Sequence, residues 1–296
     1  MSEGILIFAH NNTEIDYAEL AYISAIYAKK NLGKPVSLVT DAGSREWMYK
    51  KYPDSIDVFD QIILTDNIQL AHLQKKRYYD GALSHKLLTF NNLLRSRSYD
   101  LSPYDKTLVI DCDLLIVNDK LKFVWESNED FMISKEHHSL ASEFDDFEFQ
   151  KISDYSVDFV WATAFYFVKN EKNNIFFDLC KHIVENYDFY RFVYRIDNTL
   201  MRNDYVFSIA YHILNGFSNE TQPVSLPSEI FYTLDKEDLY DVYDSKTFVF
   251  LTNKKDYLGE YILVKTHNQN VHIMNKYAFG RNAKKLLEVI SWVKGI

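Results

Sequence analysis

The stretch TLVIDCDLLIVND, Thr107 to Asp119, decides how this chain is read. An apolar run ends on two aspartates with one cysteine between them. In an extended strand, positions i and i+2 point the same way. Asp111 and Asp113 are therefore expected on one face, with Cys112 turned to the other. Two bare carboxylates side by side repel, and one would have its pKa raised. A divalent cation removes that conflict. Hard oxygen ligands at this spacing hold Mg²⁺ or Mn²⁺, with phosphate oxygens and water completing the shell. In an open parallel sheet, ligands bind beyond the carboxyl ends of the strands, and the acids stand at the end of their apolar run. The plainer alternative is a pair of surface acids ending a strand. Asp-x-Asp alone is common, and it is the flanking apolar segments that favour a metal–diphosphate site.

Upstream, GILIFAH (Gly4 to His10) reads as a short buried strand. EIDYAELAYISAIYAKKNLG places Tyr17, Leu20, Ala21, Ser24, Ala25 and Ala28 on one helical face, with Gly33 as the stop. PVSLVTD and FDQIILTD read as strands, with a short helix at SREWMYKKYP between them. This βαβαβ opening predicts an α/β fold whose central sheet is mostly parallel, with helices on its faces. A long helical stretch is expected over Ser84 to Tyr99. Downstream, DFMISKE and DFVWATAFYFVK read as strands separated by an irregular acidic insertion. Helices follow at EKNNIFFDLCKHIVENY and at Asn203 to Gly216. Short strands at KTFVFLTN and YILVKTHN precede a last helix at NAKKLLEVISWVK. With 5 Pro and 8 Gly and no low-complexity linker, a single domain is expected, with a core over 1–225 and a C-terminal closing segment over 226–296.

Composition narrows the function classes. The 296 residues are 47% hydrophobic and 25% charged, with 22 Tyr and 21 Phe. That aromatic excess fills a core more readily than it lines a sugar pocket. The net charge of −9 argues against a broad footprint for duplex nucleic acid. Two cysteines build neither a disulfide framework nor a multi-cysteine zinc site. The N-terminus has no basic region before its five consecutive apolar residues. The longest mainly apolar segment, FVWATAFYFV, is about half a membrane span. A soluble, cytoplasmic protein without a transmembrane segment is expected.

The segment YDKTLVIDCDLLIVNDKLKFVW resembles the Asp-x-Asp region of GT-A fold glycosyltransferases. It is most like the retaining family 8 type, which includes glycogenin-like and lipopolysaccharide sugar transferases. The order of parts is similar over most of the chain. The resemblance implies a Rossmann-like GT-A fold, a nucleotide-sugar donor with UDP-sugars favoured, and a carbohydrate or glycoconjugate acceptor. By that resemblance, His10, Asn11 and Asn12 would contact base or ribose. Tyr17 would stack on the base or pack in the helix face, and Asp41 would reach the base or cap the following turn. Lys86, in the expected helix before the acids, would contact the donor and assist catalysis. Asp111 and Asp113 would bind Mn²⁺ or Mg²⁺, and Asp111 would also bond the ribose. The third ligand would be His272 or His267, with His272 favoured because Lys276 follows it as a phosphate-binding lysine.

The chain departs from the family pattern in three places. Trp161, Ala162 and Thr163 stand where the family has Asn-x-Gly, so Trp161 would stack on a sugar or fill core. Asp204-Tyr205 replaces an Asp-Gln pair. Asp204 would serve the reacting face of the donor or cap its helix, a role for which Asn203 competes. The longer glycine-containing gap between histidine and lysine is missing. An inverting enzyme would need a carboxylate base, for which Asp145, Asp146 and Asp158 are candidates. The insertion from Phe144 to Tyr155 is a candidate acceptor surface or a solvated loop. Two competing functions remain, a nucleotidyltransferase and a non-catalytic nucleotide-sugar-binding protein. The first lacks its Gly-rich basic loop after the first strand. A nucleic-acid base as acceptor is disfavoured by the charge.

Overall fold

The computed structural model describes residues 1–68, 74–81, 83–90, 94–135, 137–141, 150–154, 156–219, 223–253 and 260–291. The chain opens as its apolar pattern predicts: β1 (Glu3–Phe8), α1 (Tyr17–Leu32), β2 (Val36–Thr40), α2 (Ala42–Lys51), α3 (Ser55–Val58) and β3 (Gln61–Leu64). Gly33 ends α1 in the left-handed region, φ 66°, and its N–H donates to the Lys29 carbonyl. A side chain there would be strained. Asp41 caps α2, accepting from the Ser44 N–H at 2.8 Å.

The helix expected over Ser84–Tyr99 does not form. Residues Gln74–Asp80 (β4) and Ser84–Phe90 (β5) make an antiparallel hairpin, followed by a 3₁₀ turn at Leu94–Arg97 and the short α4 (Ser98–Leu101). The signal that outweighs the helical pattern is Asp80-Gly81. Gly81 has φ 76°, the conformation a tight hairpin turn requires. Pairing with β4 then satisfies the backbone groups that a helix would have satisfied internally.

The remainder runs β6 (Lys106–Asp111), β7 (Leu114–Leu115), a 3₁₀ turn at Lys120–Val124, β8 (Phe131–Ser134), β9 (His137–Ser139), β10 (Trp161–Val168), α5 (Glu171–Glu185), α6 (Tyr187–Val193), α7 (Asn203–Leu214), β11 (Ile230–Thr233), β12 (Asp238–Asp244), β13 (Thr247–Asn253), β14 (Tyr261–His267), β15 (Asn270–Ile273), α8 (Lys276–Arg281) and α9 (Ala283–Ser291). The main sheet has the order β3-β2-β1-β6-β10-β8. Its first four strands are parallel, and β10 is antiparallel to both neighbours. The α/β architecture read from the sequence is thus the one observed. Among the described residues, three smaller sheets accompany it: β7-β15-β11-β9, β12-β13-β14 and the β4-β5 hairpin.

Both faces of the main sheet are covered, which is why its central strands are apolar without alternation. Ile5, Ile7, Leu108 and Ile110 pack with residues of α1 and α9. Leu6, Phe8, Val109, Phe165 and Phe167 pack with Phe176, Phe177 and Cys180 of α5 and Val206 and Phe207 of α7. Many of the aromatics belong to this second layer, and ring pairs such as Phe165–Phe207 meet edge to face at 4.9 Å. The core reading of the aromatic excess therefore holds for these residues. Cys112 and Cys180 are buried and unbonded. Burial pushes the Cys112 thiol up to about 12, which makes it a poor nucleophile. Among the described residues, no helix is long and apolar enough to cross a membrane. Asp145, Asp146 and most of the insertion from Phe144 to Tyr155 lie outside the described residues.

Candidate active site

Asp111 ends β6, and the chain then turns through Cys112 and Asp113 before pairing again as β7. The two aspartates are therefore brought together by a tight turn, and the shared strand face expected from the sequence is not what unites them. The turn exists because the chain leaves the main sheet to join a different one. Leu114 pairs with His272 and Leu115 with Val271 on β15, and the Ile273 N–H donates to the Asp113 carbonyl at 2.9 Å. Ser24 on α1 holds the turn from behind, its hydroxyl donating to the Cys112 carbonyl at 2.7 Å.

This register delivers the imidazole. His272 Nε2 stands 3.1 Å from Asp113 Oδ2 and 3.7 Å from Asp111 Oδ2. Asp111, Asp113 and His272 each offer a ligand atom, and these atoms lie within 4.8 Å of one another. All three residues are buried. His267 is elsewhere, on β14, where its Nδ1 meets Thr247 Oγ1 at 2.9 Å. Burial lowers the pKa of His272, and Lys276 and Arg95 lower it further against the opposing pull of Asp113. Burial alone would raise Asp113, but Lys276 and His272 overcome it and hold the carboxyl below its usual range. The two shifts favour a neutral His272 and an ionised Asp113, the forms that ligate a metal,.

Two carboxylates and an imidazole nitrogen make a donor set that fits a divalent metal ion,. Were Nε2 to ligate an ion, the ring proton would sit on Nδ1, where Thr163 Oγ1, 3.4 Å away, would accept it,. In this structure the carboxylates are neutralised internally: Arg95 pairs with Asp111 and Lys276 with Asp113. Lys276 opens α8 behind the cap Asn275. A cation at a helix N-terminus opposes the helix dipole, so its position is set by Asp113 rather than by local preference.

A cavity of about 340 Å³ opens in front of these groups. Lys76, Arg95, Arg202 and Lys276 line it, facing Asp111, Asp113, Asp204 and Asp235. Tyr17 and Trp161 also line it. The Tyr17 hydroxyl donates to Tyr78 at 2.8 Å, and Trp161 stacks on His137 with centroids 4.2 Å apart. Asp204 lies in the first turn of α7, whose cap position is Arg202. Neither Asp204 nor Asn203 is the cap. Asp204 Oδ1 accepts from the Ala162 N–H at 2.8 Å, and Oδ2 accepts from Arg202 Nε at 2.9 Å. That amide is available because β10 shifts register between Trp161 and Phe165. Arg95 donates to the Ala162 carbonyl at 3.1 Å. The irregular end of β10 thus anchors both Asp204 and Arg95.

Other expected residues lie off the cavity wall. His10 Nε2 meets Thr65 Oγ1 at 2.9 Å. Asn11 accepts from the Ala18 N–H, and Asn12 from the Glu14 and Ile15 N–H groups. Lys86 is on β5, more than half exposed, and paired with Glu14 at 2.8 Å. Asp158 pairs with Lys151 through the backbone, in an isolated antiparallel β-bridge. Sequence reading missed Lys76, Arg95, Arg202 and Asp235, and it gave Thr163 no role. None has a spacing signal: Lys76 comes in on the hairpin, Arg95 on the 3₁₀ turn, Thr163 at the irregular end of β10, Arg202 at the cap of α7 and Asp235 just after β11.

No family model matches the chain, and no curated protein matches it. Solved structures do. The galactosyltransferase LgtC in complex with donor and acceptor sugar analogs is 12% identical, at a TM-score of 0.46 over 98% of this chain and 95% of that one. The glycosyltransferase GlyE of Streptococcus pneumoniae TIGR4 is 13% identical, at a TM-score of 0.42, over 76% and 45%. Mouse xyloside xylosyltransferase 1 is 11% identical, at 0.41, over 71% and 81%.

Proposed function

We propose that the protein is a metal-dependent glycosyltransferase that moves a sugar from a nucleotide-diphosphate sugar, a UDP-sugar by preference, to a hydroxyl of a carbohydrate or glycoconjugate, with retention at the anomeric carbon. The observation that supports it most is the convergence of Asp111, Asp113 and His272 at the carboxyl end of β6, beside a cavity lined by four cations. In the reaction, the bond from sugar C1 to the phosphate oxygen breaks and one from C1 to the acceptor oxygen forms. The nucleoside diphosphate leaves and takes up the proton that the acceptor hydroxyl loses. A bound Mn²⁺ or Mg²⁺ supplies Lewis-acid stabilisation to the departing diphosphate.

The chain's own residues do the rest. Asp111, Asp113 and the neutral His272 would hold the ion, and Thr163 would orient the imidazole. With Asp113 and Asp111 engaged in holding an ion, their present partners Lys276 and Arg95 would be free to face the diphosphate in a water-poor site, where charge stabilisation is strongest,. Trp161 offers a flat apolar wall to a sugar ring. Asp204 stands on the same wall and would turn toward the reacting face of the donor. Thermal-shift screening of nucleotide-sugars with Mn²⁺ tests the reading, because a ligand stabilises the native state by mass action. Stabilisation by one nucleotide-sugar and its slow metal-dependent hydrolysis are expected, both lost in Asp113→Asn. Hydrolysis that persists in that variant would overturn the assignment.

A further inference from the structure

Of the four cations around the cavity, three have a carboxylate partner: Arg95 with Asp111, Lys276 with Asp113, and Arg202 with Asp204. Lys76 has none within ion-pair distance among the described residues. It sits on β4, half-buried, with its ammonium 5.5 Å from the Tyr78 ring centroid and 5.9 Å from that of Phe90. Its surroundings are unfavourable for a lone charge. Loss of water pushes its pKa down to about 8, and Lys276 and Arg202 add repulsion that Asp235 and Asp113 only partly offset. An uncompensated cation costs stability unless something else repays it. The wall that carries it, the β4-β5 hairpin, also packs on α8, which begins with Lys276, and Arg281 of α8 pairs with Asp80 at 2.6 Å. The hairpin thus fixes Lys76 over the same space that Lys276 and Arg202 border.

We propose that Lys76 is a substrate ligand whose ammonium engages an oxyanion, a phosphate or carboxylate oxygen, of the molecule that fills the cavity. The anion has two possible sources, the diphosphate itself or an acidic group on the transferred sugar. This deepens the sugar-transfer reading and rests on it for the location of the substrate, although anion binding as such does not require sugar to be transferred. An ammonium suits this task because it forms charge-assisted bonds to oxygen without demanding the planar geometry of a guanidinium.

The test is calorimetric binding with Mn²⁺ present, on the full chain and on its Lys76→Met and Lys76→Arg variants. The probes are inorganic pyrophosphate, UDP, UDP-glucose and UDP-glucuronate. Loss of one charge-assisted contact should weaken the engaged probe on the order of 10- to 100-fold in Lys76→Met, with Lys76→Arg recovering most of it. Weakening that extends to pyrophosphate identifies the diphosphate as the source. Weakening confined to UDP-glucuronate identifies the acidic sugar. Equal affinity of wild type and Lys76→Met for every probe overturns the inference and leaves sugar transfer standing. Lysine-dependent binding of pyrophosphate without preference for any nucleotide would retain the inference and remove the sugar-transfer reading. A wild type that binds none of the four overturns both.

Discussion

Replacing Lys276 by methionine should damage the empty protein and spare the metal-loaded one. The ammonium is about one-tenth exposed, and the Asp113 carboxylate that it neutralises is less exposed still. Removing one partner of such a buried pair leaves an uncompensated charge and costs about 3–5 kcal/mol. For a chain of this length, that lowers the melting temperature on the order of 10 °C. The pH dependence has a definite sign. Asp113 has its carboxyl held below the usual range. The stability gained from that is present above the unfolded carboxyl pKa and is lost as pH falls through the folded value. The gap between wild type and variant should therefore be widest at neutral pH and narrow in acid. Methionine also removes the cation that competes for Asp113, so Mn²⁺ should bind the variant more readily without a nucleotide. At a hundredfold excess over its dissociation constant, Mn²⁺ returns about 2.7 kcal/mol. The double variant Asp113→Asn/Lys276→Met should recover much of the stability without any response to Mn²⁺. Chemical denaturation with and without Mn²⁺ measures all of this. A single variant as stable as wild type would refute the pairing argument, and one indifferent to Mn²⁺ would refute the ligand role of Asp113.

Two further outcomes are expected. Lys86→Ala should leave nucleotide-sugar hydrolysis at the wild-type rate, because Lys86 is more than half exposed on the hairpin and pairs there with Glu14, and a tenfold fall in kcat would contradict that placement. Gly4→Ala should destabilise by about 1–3 kcal/mol, read as a lowered denaturation midpoint, because its Cβ would enter the space of the buried Tyr104 ring.

The fold was legible where one local rule acted alone. β1, α1, β2 and β3 follow from apolar runs and caps, and the acid pair marked the end of β6. Ser84–Tyr99 misled because apolar residues at helical spacing coincide there with a strand that pairs across Asp80-Gly81. The hairpin is a contact between two segments, and periodicity within one segment does not contain it. The site divides in the same way. Asp111 and Asp113 lie two positions apart in sequence and could be read directly. His272 and Lys276 could be ranked by their order after the acids, whereas Arg95 and Lys76 could not. Arg95 reaches the site through a carbonyl freed by the irregular end of β10, and Lys76 on a strand placed there by the pairing of β4 with β5.

The pairing of β7 with β15 has a consequence for synthesis. A ribosome extends the chain from its N-terminus, so the acid pair is made 159 residues before the imidazole that faces it. Until β15 docks, Arg95 can already pair with Asp111, but Asp113 lacks both His272 and Lys276. Any metal binding by this centre would therefore wait for the last strand, and metal capture would report on its docking.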